Sequence, residues 1–219
     1  EASLIKGNFY FMTAQPDGWI LDQDWFDSSP FYLSALNTVA DSQLGRSTIL
    51  PLLQGALIPK VDFARYERAR EFLSGTHLNE SQVEAVAQSY ATDLLHLIQG
   101  PPGTGKTLML ARLAQLLAQD GLRVFVTALT HRAIHNALNK IPQVDDSLPV
   151  CKIGEERLSG DMNVPNVETF DRSRFAEKSG GYVVGATSLG RQSKRLANVE
   201  VEVVRVAYAF EINLHLGTT

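Results

Sequence analysis

GPPGTGKT, Gly100 to Thr107, decides how the rest of this chain is read. The octet fits G-x-x-x-x-G-K-[ST], a loop that wraps phosphate groups in its own backbone. Gly100, Gly103 and Gly105 let the main chain approach a phosphate and turn its N–H groups inward, with Pro101, Pro102 and Thr104 completing the loop. Lys106 brings a positive charge to the β and γ phosphates, and Thr107 offers a hydroxyl to Mg²⁺. A helix starting there adds its positive dipole end to the anion site.

The surroundings agree with that reading. LLHLIQ, Leu94 to Gln99, is a short apolar run and is expected to be a buried strand. Lys106 to Asp120 is expected to be a helix, with Arg112, Gln115 and Gln119 on one face and mostly apolar residues elsewhere. Gly121 stands where a C-cap glycine belongs. A strand–loop–helix setting favours a nucleotide site over a plain glycine-rich turn.

Composition sets the outer bounds. The chain has 219 residues, 44% of them hydrophobic, which suits one or two soluble globular domains. No apolar run approaches the ~20 residues of a membrane span, and no signal-peptide pattern opens the sequence. One cysteine, Cys151, rules out an internal disulfide and suits a reducing, cytoplasmic setting. The formal net charge of −4 argues against a general polyanion binder. The charge is uneven: residues 1–99 hold 6 Lys/Arg against 12 Asp/Glu, and residues 100–219 hold 14 against 12. A local nucleic-acid groove is compatible with that; a strongly basic face is not.

Along the chain, residues 8–26 read as a β-hairpin around Pro16-Asp17-Gly18. Trp19, Trp25 and Phe26 either pack a small core or stack on bases, and packing is the favoured reading. Residues 28–59 show no assignable role. Val61 to Leu73 reads as an amphipathic helix with Phe63, Tyr66, Ala69, Phe72 and Leu73 as its apolar stripe. Arg65, Arg68 and Arg70 would then point outward on a solvated face. In LNESQ, Asn79 and Gln82 have capping-box spacing; the same Gln82 could instead read an adenine edge.

Beyond the loop helix, LRVFVTAL, Leu122 to Leu129, is expected to be a second buried strand. Thr130 would cap a helix from His131 to Lys140. His131 and His135 lie four apart, but a zinc-protease pattern needs Glu where Arg132 stands, so a metal pair is set aside. Thr130, His131 and Arg132 at a helix N-terminus either contact a backbone phosphate or form an ordinary cap. PVCKIG reads as strand-like, residues 167–178 as a short charged helix, and GYVVGAT, Gly181 to Thr187, as a buried strand. Arg191, Lys194 and Arg195 are a small basic cluster, and Val199 to Val206 a last apolar strand. This alternation implies an α/β fold with a mostly parallel sheet.

An AAA-type ATPase would carry GPPGTGKT equally well. Three further pieces resemble superfamily 1 helicases: LNESQ resembles their adenine-reading Q motif, TALTHRAIHNAL their motif Ia and YVVGAT their motif Ic. Their order resembles the Upf-like, 5′-to-3′ branch, specifically its bacterial AAA-domain members, over about residues 78–206. The resemblance implies a P-loop NTPase (RecA-like) domain, a parallel sheet with helices on both faces, after a small mixed α+β region at 1–77 and before a tail at 207–219. It implies ATP and Mg²⁺ as cofactors, with Gln82 reading adenine. It implies single-stranded DNA or RNA as partner, near Thr130, His131, Gly185, Ala186 and Thr187.

One departure from the family pattern is prominent. The family's next strand ends in an acidic pair: Asp for the Mg²⁺ shell and Glu for the attacking water. Here VEVEVVRV runs into AYAFE, and Ala207 and Tyr208 take those positions. Glu211 falls four residues late, and Glu200 and Glu202 sit at the strand's start. The sequence from Glu1 to Thr219 also lacks a second motor domain with arginine fingers. The expectation is an ATP-binding fragment of a helicase with weak hydrolysis, or a nucleotide-binding module without catalysis.

Overall fold

The computed structural model describes the backbone of residues 2–5, 8–15 and 18–23, and residues 29–155, 160–173, 175–177 and 180–187. The chain divides into two compact units, Glu1–Ile58 and Pro59–Thr219. None of the described helices is long and apolar enough to cross a membrane.

The first unit opens with an antiparallel sheet of β1 (Ala2–Ile5), β2 (Asn8–Gln15) and β3 (Gly18–Gln23), in that order. The expected hairpin is the β2–β3 pair, with Gln15 opposite Gly18. Sequence reading missed β1, whose Ile5 stands opposite Asn8. Trp25 and Phe26 lie outside the described residues. Helix α1 (Ser29–Asp41), a π-helical turn (Gly45–Ile49) and α2 (Leu50–Leu53) follow in the stretch that showed no assignable role.

The second unit holds α3 (Phe63–Ser74), α4 (Glu80–Ala91), α5 (Lys106–Gln119) and α6 (His131–Lys140). Its sheet comprises β4 (Arg123–Ala128), β5 (Val150–Ile153), β6 (Asn166–Val167) and β7 (Tyr182–Thr187). The strand order is β4-β7-β5-β6 and every pair is parallel, as the alternating pattern implied. Strand side chains alternate between faces. Val124, Val126 and Val183 join the core built with α3 to α6, whereas Phe125, Tyr182 and Val184 join a second cluster with Phe170 and Phe175.

That second cluster explains one difference from expectation. The charged helix expected at 167–178 is instead the end of β6 and two 3-10 turns, Phe170–Ser173 and Phe175–Glu177. On an α-helix, side chains five apart diverge by about 140°. Two short turns let both rings meet Tyr182, at centroid distances of 6.1 and 5.0 Å.

Leu94 to Gln99 is not a strand, contrary to the sequence reading. Leu94, Leu95 and Leu97 are 42%, 41% and 79% exposed. A strand exists only through a ladder of bonds to a neighbour. Among the described residues the four-stranded sheet does not take this segment in. Hydrophobicity marked the run, but it carries no information on which strand would pair with it.

The arginines of α3 do more than face outward. Asp62 caps the helix, its carboxylate accepting from the Ala64 and Arg65 N–H groups at 3.0 and 3.1 Å. Ala69 and Leu73 are fully buried, while Phe63 stands out at 76% exposure. Arg68 donates to both oxygens of Asp120, at 3.0 and 2.8 Å, and to the Tyr90 hydroxyl. The Arg65 guanidinium lies 4.4 Å from the Tyr90 ring centroid. Arg70 bonds Glu80 and Glu84 at 2.5 and 3.0 Å. The Arg68 and Arg70 side chains stay 58% and 37% exposed, as expected of an outward face, and the three arginines also tie α3 to α4 and to the end of α5. These ties place α3 and α4 in the compact unit that begins at Pro59.

Asp120→Ala leaves Arg68 and Tyr90 without their shared acceptor and removes the carboxylate 3.5 Å from Arg65 Nη2. It is expected to lower stability by about 1–3 kcal/mol, read from the urea midpoint. An unchanged midpoint would show that this tie contributes nothing.

Candidate functional site

The phosphate loop sits between two helix starts. Asn79 and Gln82 form the expected capping box: the Asn79 carboxamide oxygen accepts from Gln82 N–H at 3.0 Å, and Asn79 N–H donates to the Gln82 side-chain oxygen at 3.0 Å. The Gln82 side-chain N–H₂ then donates to the Thr104 carbonyl at 2.9 Å. The structure thus adds a third role to the two read from sequence, a strut onto the loop. One donor hydrogen and one acceptor lone pair of the carboxamide are still left over for a base edge.

Gly103 and Gly105 have φ values of +82° and +80°, where only glycine sits without strain. At Gly105 the space is also closed: a Cβ there would lie 2.7 Å from the Gln82 side-chain nitrogen. Thr104 Oγ1 donates to the Pro101 carbonyl at 2.8 Å and closes the turn. Lys106 Nζ donates to the Gly100 and Pro101 carbonyls at 2.6 and 2.8 Å, which holds the ammonium against the loop. Thr107 is exposed in the first turn of α5. First-turn N–H groups have no acceptor within their own helix.

This donor set fits a nucleotide's phosphate tail and its magnesium ion. The backbone amides of the loop and first turn, with Lys106, would hold phosphate oxygens. Thr107 would supply one oxygen ligand. Among the described residues no cluster of three His, Cys, Asp or Glu side chains is arranged to hold a metal ion. Ala207, Tyr208 and Glu211 lie outside the described residues.

Helix α5 ends at Gln119 and β4 begins at Arg123, so helix and strand run in opposite directions. The first turn of α5 therefore lies at the end of the sheet where its strands finish, the usual ligand side of an open parallel sheet. Helix α6 starts at the same end. Thr130 caps it, Oγ1 accepting from Ala133 N–H at 3.3 Å. Arg132 is exposed and His131 half-buried. Burial first, then the nearby Lys152 and His135, push the His131 pKa below its ordinary value, with Glu155 opposing.

Gly185, Ala186 and Thr187 form the tip of β7, with Thr187 in register with Ala128. Gly185, Ala186 and Thr187 are all buried. A Cβ on Gly185 would meet Leu138 Cδ1 at 2.5 Å, so the glycine lets α6 lie close on the sheet. That packing accounts for Gly185 without a ligand. Thr187 stays at the strand tip, on the same sheet end as Thr130 and His131.

The sequence reading weighed His135 only as a metal ligand and did not single out Asn139, Lys152 or Asp161. His135 is buried and its Nδ1 bonds the Asp161 carboxylate. Asn139, one turn on, donates to the Asp161 carbonyl at 2.8 Å and accepts from Asn163 N–H at 2.7 Å. Lys152 is fully buried on β5. Burial lowers its pKa, and Asp161 opposes this. The available signal was a lysine inside the apolar run PVCKIG. Next to it, burial pushes the Cys151 thiol up to about 12, which makes it unreactive.

An α/β unit with a phosphate loop at the ligand end of its parallel sheet defines a nucleotide-binding P-loop domain. A family described as an AAA domain (AAA_11) matches residues 77–204, and the chain belongs to that family. Similar proteins include the DNA replication ATP-dependent helicase/nuclease DNA2 of Saccharomyces cerevisiae, 38% identical over 73 residues, which is 33% of this chain and 5% of that protein. The DNA polymerase alpha-associated DNA helicase A of Schizosaccharomyces pombe is 36% identical over 77 residues, 35% of this chain and 11% of its own length. The DNA-binding protein SMUBP-2 of Mus musculus is 30% identical over 111 residues, 51% of this chain and 10% of its own length. The chain thus matches only a small part of each of these relatives.

Gly105→Ala puts a methyl group against Gln82 at a strained φ. It is expected to weaken binding of a fluorescent ATP analogue about tenfold or more, with the far-ultraviolet circular dichroism kept. Unaltered affinity would mean that the loop does not need this backbone.

Proposed function

We propose that this chain is the ATP-binding part of an ATP-dependent superfamily 1 DNA or RNA helicase motor, and that by itself it grips nucleotide and hydrolyses it slowly. The observation that carries the reading is the loop Gly100–Thr107 at the start of α5, held from α4 by Gln82. ATP with Mg²⁺ is the ligand this arrangement suits. Lys106 and the loop amides would take the phosphates, Thr107 the magnesium, and the spare hydrogen-bonding capacity of Gln82 the adenine edge. Single-stranded DNA or RNA would run along the same sheet end, against Thr130, His131 and Thr187.

Phosphoryl transfer needs a placed Mg²⁺, an oriented water and an arginine that stabilises the spreading charge. Ala207 and Tyr208 replace the carboxylates expected after the last strand. Loss of a positioned base costs about 10²–10⁴-fold. The same substitution favours a second reading, a nucleotide-binding module with no catalysis. Both readings require binding and differ in turnover.

The purified chain should bind ATP and turn it over at about 0.1 s⁻¹ or slower, given typical values of about 1–10³ s⁻¹ and the loss of a base. Lys106→Ala should weaken binding about tenfold or more. Brisk turnover that the variant abolishes would contradict the slow-motor reading. Measurable binding with no turnover at all would select the second.

A further inference from the structure

The α6 start holds two ring nitrogens that the helix cap does not explain. His131 Nδ1 and His135 Nε2 are both buried without a hydrogen-bond partner. The two rings are 6.2 Å apart, centre to centre. His135 is only 4% exposed. Its Nδ1 faces the Asp161 carboxylate, so Nδ1 carries the hydrogen and Nε2 presents either a lone pair or, when charged, a second proton. Helix side chains lean toward the N-terminus, which brings the His135 ring back toward His131 and the first turn.

The charges around His131 come from several elements. Lys152 faces it from β5, Glu155 follows that strand, and His135 lies one turn along α6. Asp161 faces His135, Lys152 and Arg132. The ionisable residues of β4 and β7, Arg123 and Tyr182, begin their strands at the opposite end of the sheet. On α5, which also packs on α6, Arg112 bonds Gln115 and Lys106 is held by loop carbonyls. The near field at His131 is thus dominated by positive groups and by burial.

We propose that nucleic-acid binding at this helix start is proton-linked: a backbone phosphate docking at Thr130, His131 and Arg132 draws a proton onto His131. The inference rests on the reading above that this sheet end faces nucleic acid. A phosphate reverses the sign of the field at His131 and turns a neutral ring into a charge-assisted donor. In the free chain His131 holds its proton less tightly than an ordinary histidine; in the complex it holds it more tightly than in the free chain. Affinity therefore rises as pH falls through the window between those two states and is flat outside it. Glu155 opposes the repulsion between Lys152 and a protonated His131.

The test is anisotropy titration of the full chain with a labelled oligothymidylate lacking terminal phosphates, at constant salt, at about pH 6 and about pH 8. Binding should be about five- to tenfold tighter at the lower pH. His131→Gln should reduce the contrast to less than about twofold, whereas His77→Gln, on the exposed connection before α4, should keep it. Calorimetry of the unaltered chain in buffers of different ionisation enthalpy reads the proton directly, without relying on a variant, and net uptake near pH 7 is expected. Binding without pH dependence or proton uptake overturns this inference and leaves the nucleic-acid reading standing. A contrast that survives His131→Gln also overturns it. Absence of binding at both pH values overturns the inference and the nucleic-acid reading together.

Discussion

The backbone between Pro101 and Lys106 reverses at two left-handed glycines, and a carboxamide from a different helix holds the reversal in place. Gln82 bonds its own helix cap with one end and the Thr104 carbonyl with the other. A side chain at Gly105 would fill the space that this amide occupies. The first turn of α5, with its unpaired N–H groups and dipole, can therefore present one concave anion surface. The α3 arginines, meeting Tyr90 and Asp120, fix α4 against the far end of α5. The strut from Gln82 thus has a rigid base.

The same sheet end gathers a second set of groups. Parallel strands bring Ala128 and Thr187 into register, and α6 departs two residues after Ala128. Gly185 permits close approach of Leu138, so the N-terminus of α6 stays near the strand tips. The phosphate loop and the proposed nucleic-acid surface are then neighbours by topology, because both depend on helices that begin where parallel strands finish. The anchoring of Asp161 and Asn163 by His135 and Asn139 adds a polar side to that edge.

Much of this was legible in the residues. The loop pattern, the capping box and the strands later seen as β4 and β7 depend on local chemistry, which short windows contain. The family resemblance rested on LNESQ, TALTHRAIHNAL and YVVGAT, and the AAA-domain match spans all three. What was not legible depends on partners distant in sequence. Leu94 to Gln99 has the composition of a strand but lacks a neighbouring ladder among the described residues. Arg68 finds Asp120 across 52 positions, and His135 finds Asp161 across 26. Gln82 reaches Thr104 across 22 positions, so its strut could not be read from the capping box alone. The stretch 167–178 was misread because the need to bring Phe170 and Phe175 onto one tyrosine outweighed helical spacing.

Backbone amide exchange followed by mass spectrometry, with and without ATP and Mg²⁺, addresses the central claim most directly, because the claim concerns N–H groups. Slowed exchange across the loop and the first turn of α5, extending to the start of α4 through Gln82, is the predicted result. Exchange in those segments that stays the same at saturating nucleotide, or protection confined to another part of the chain, would contradict it.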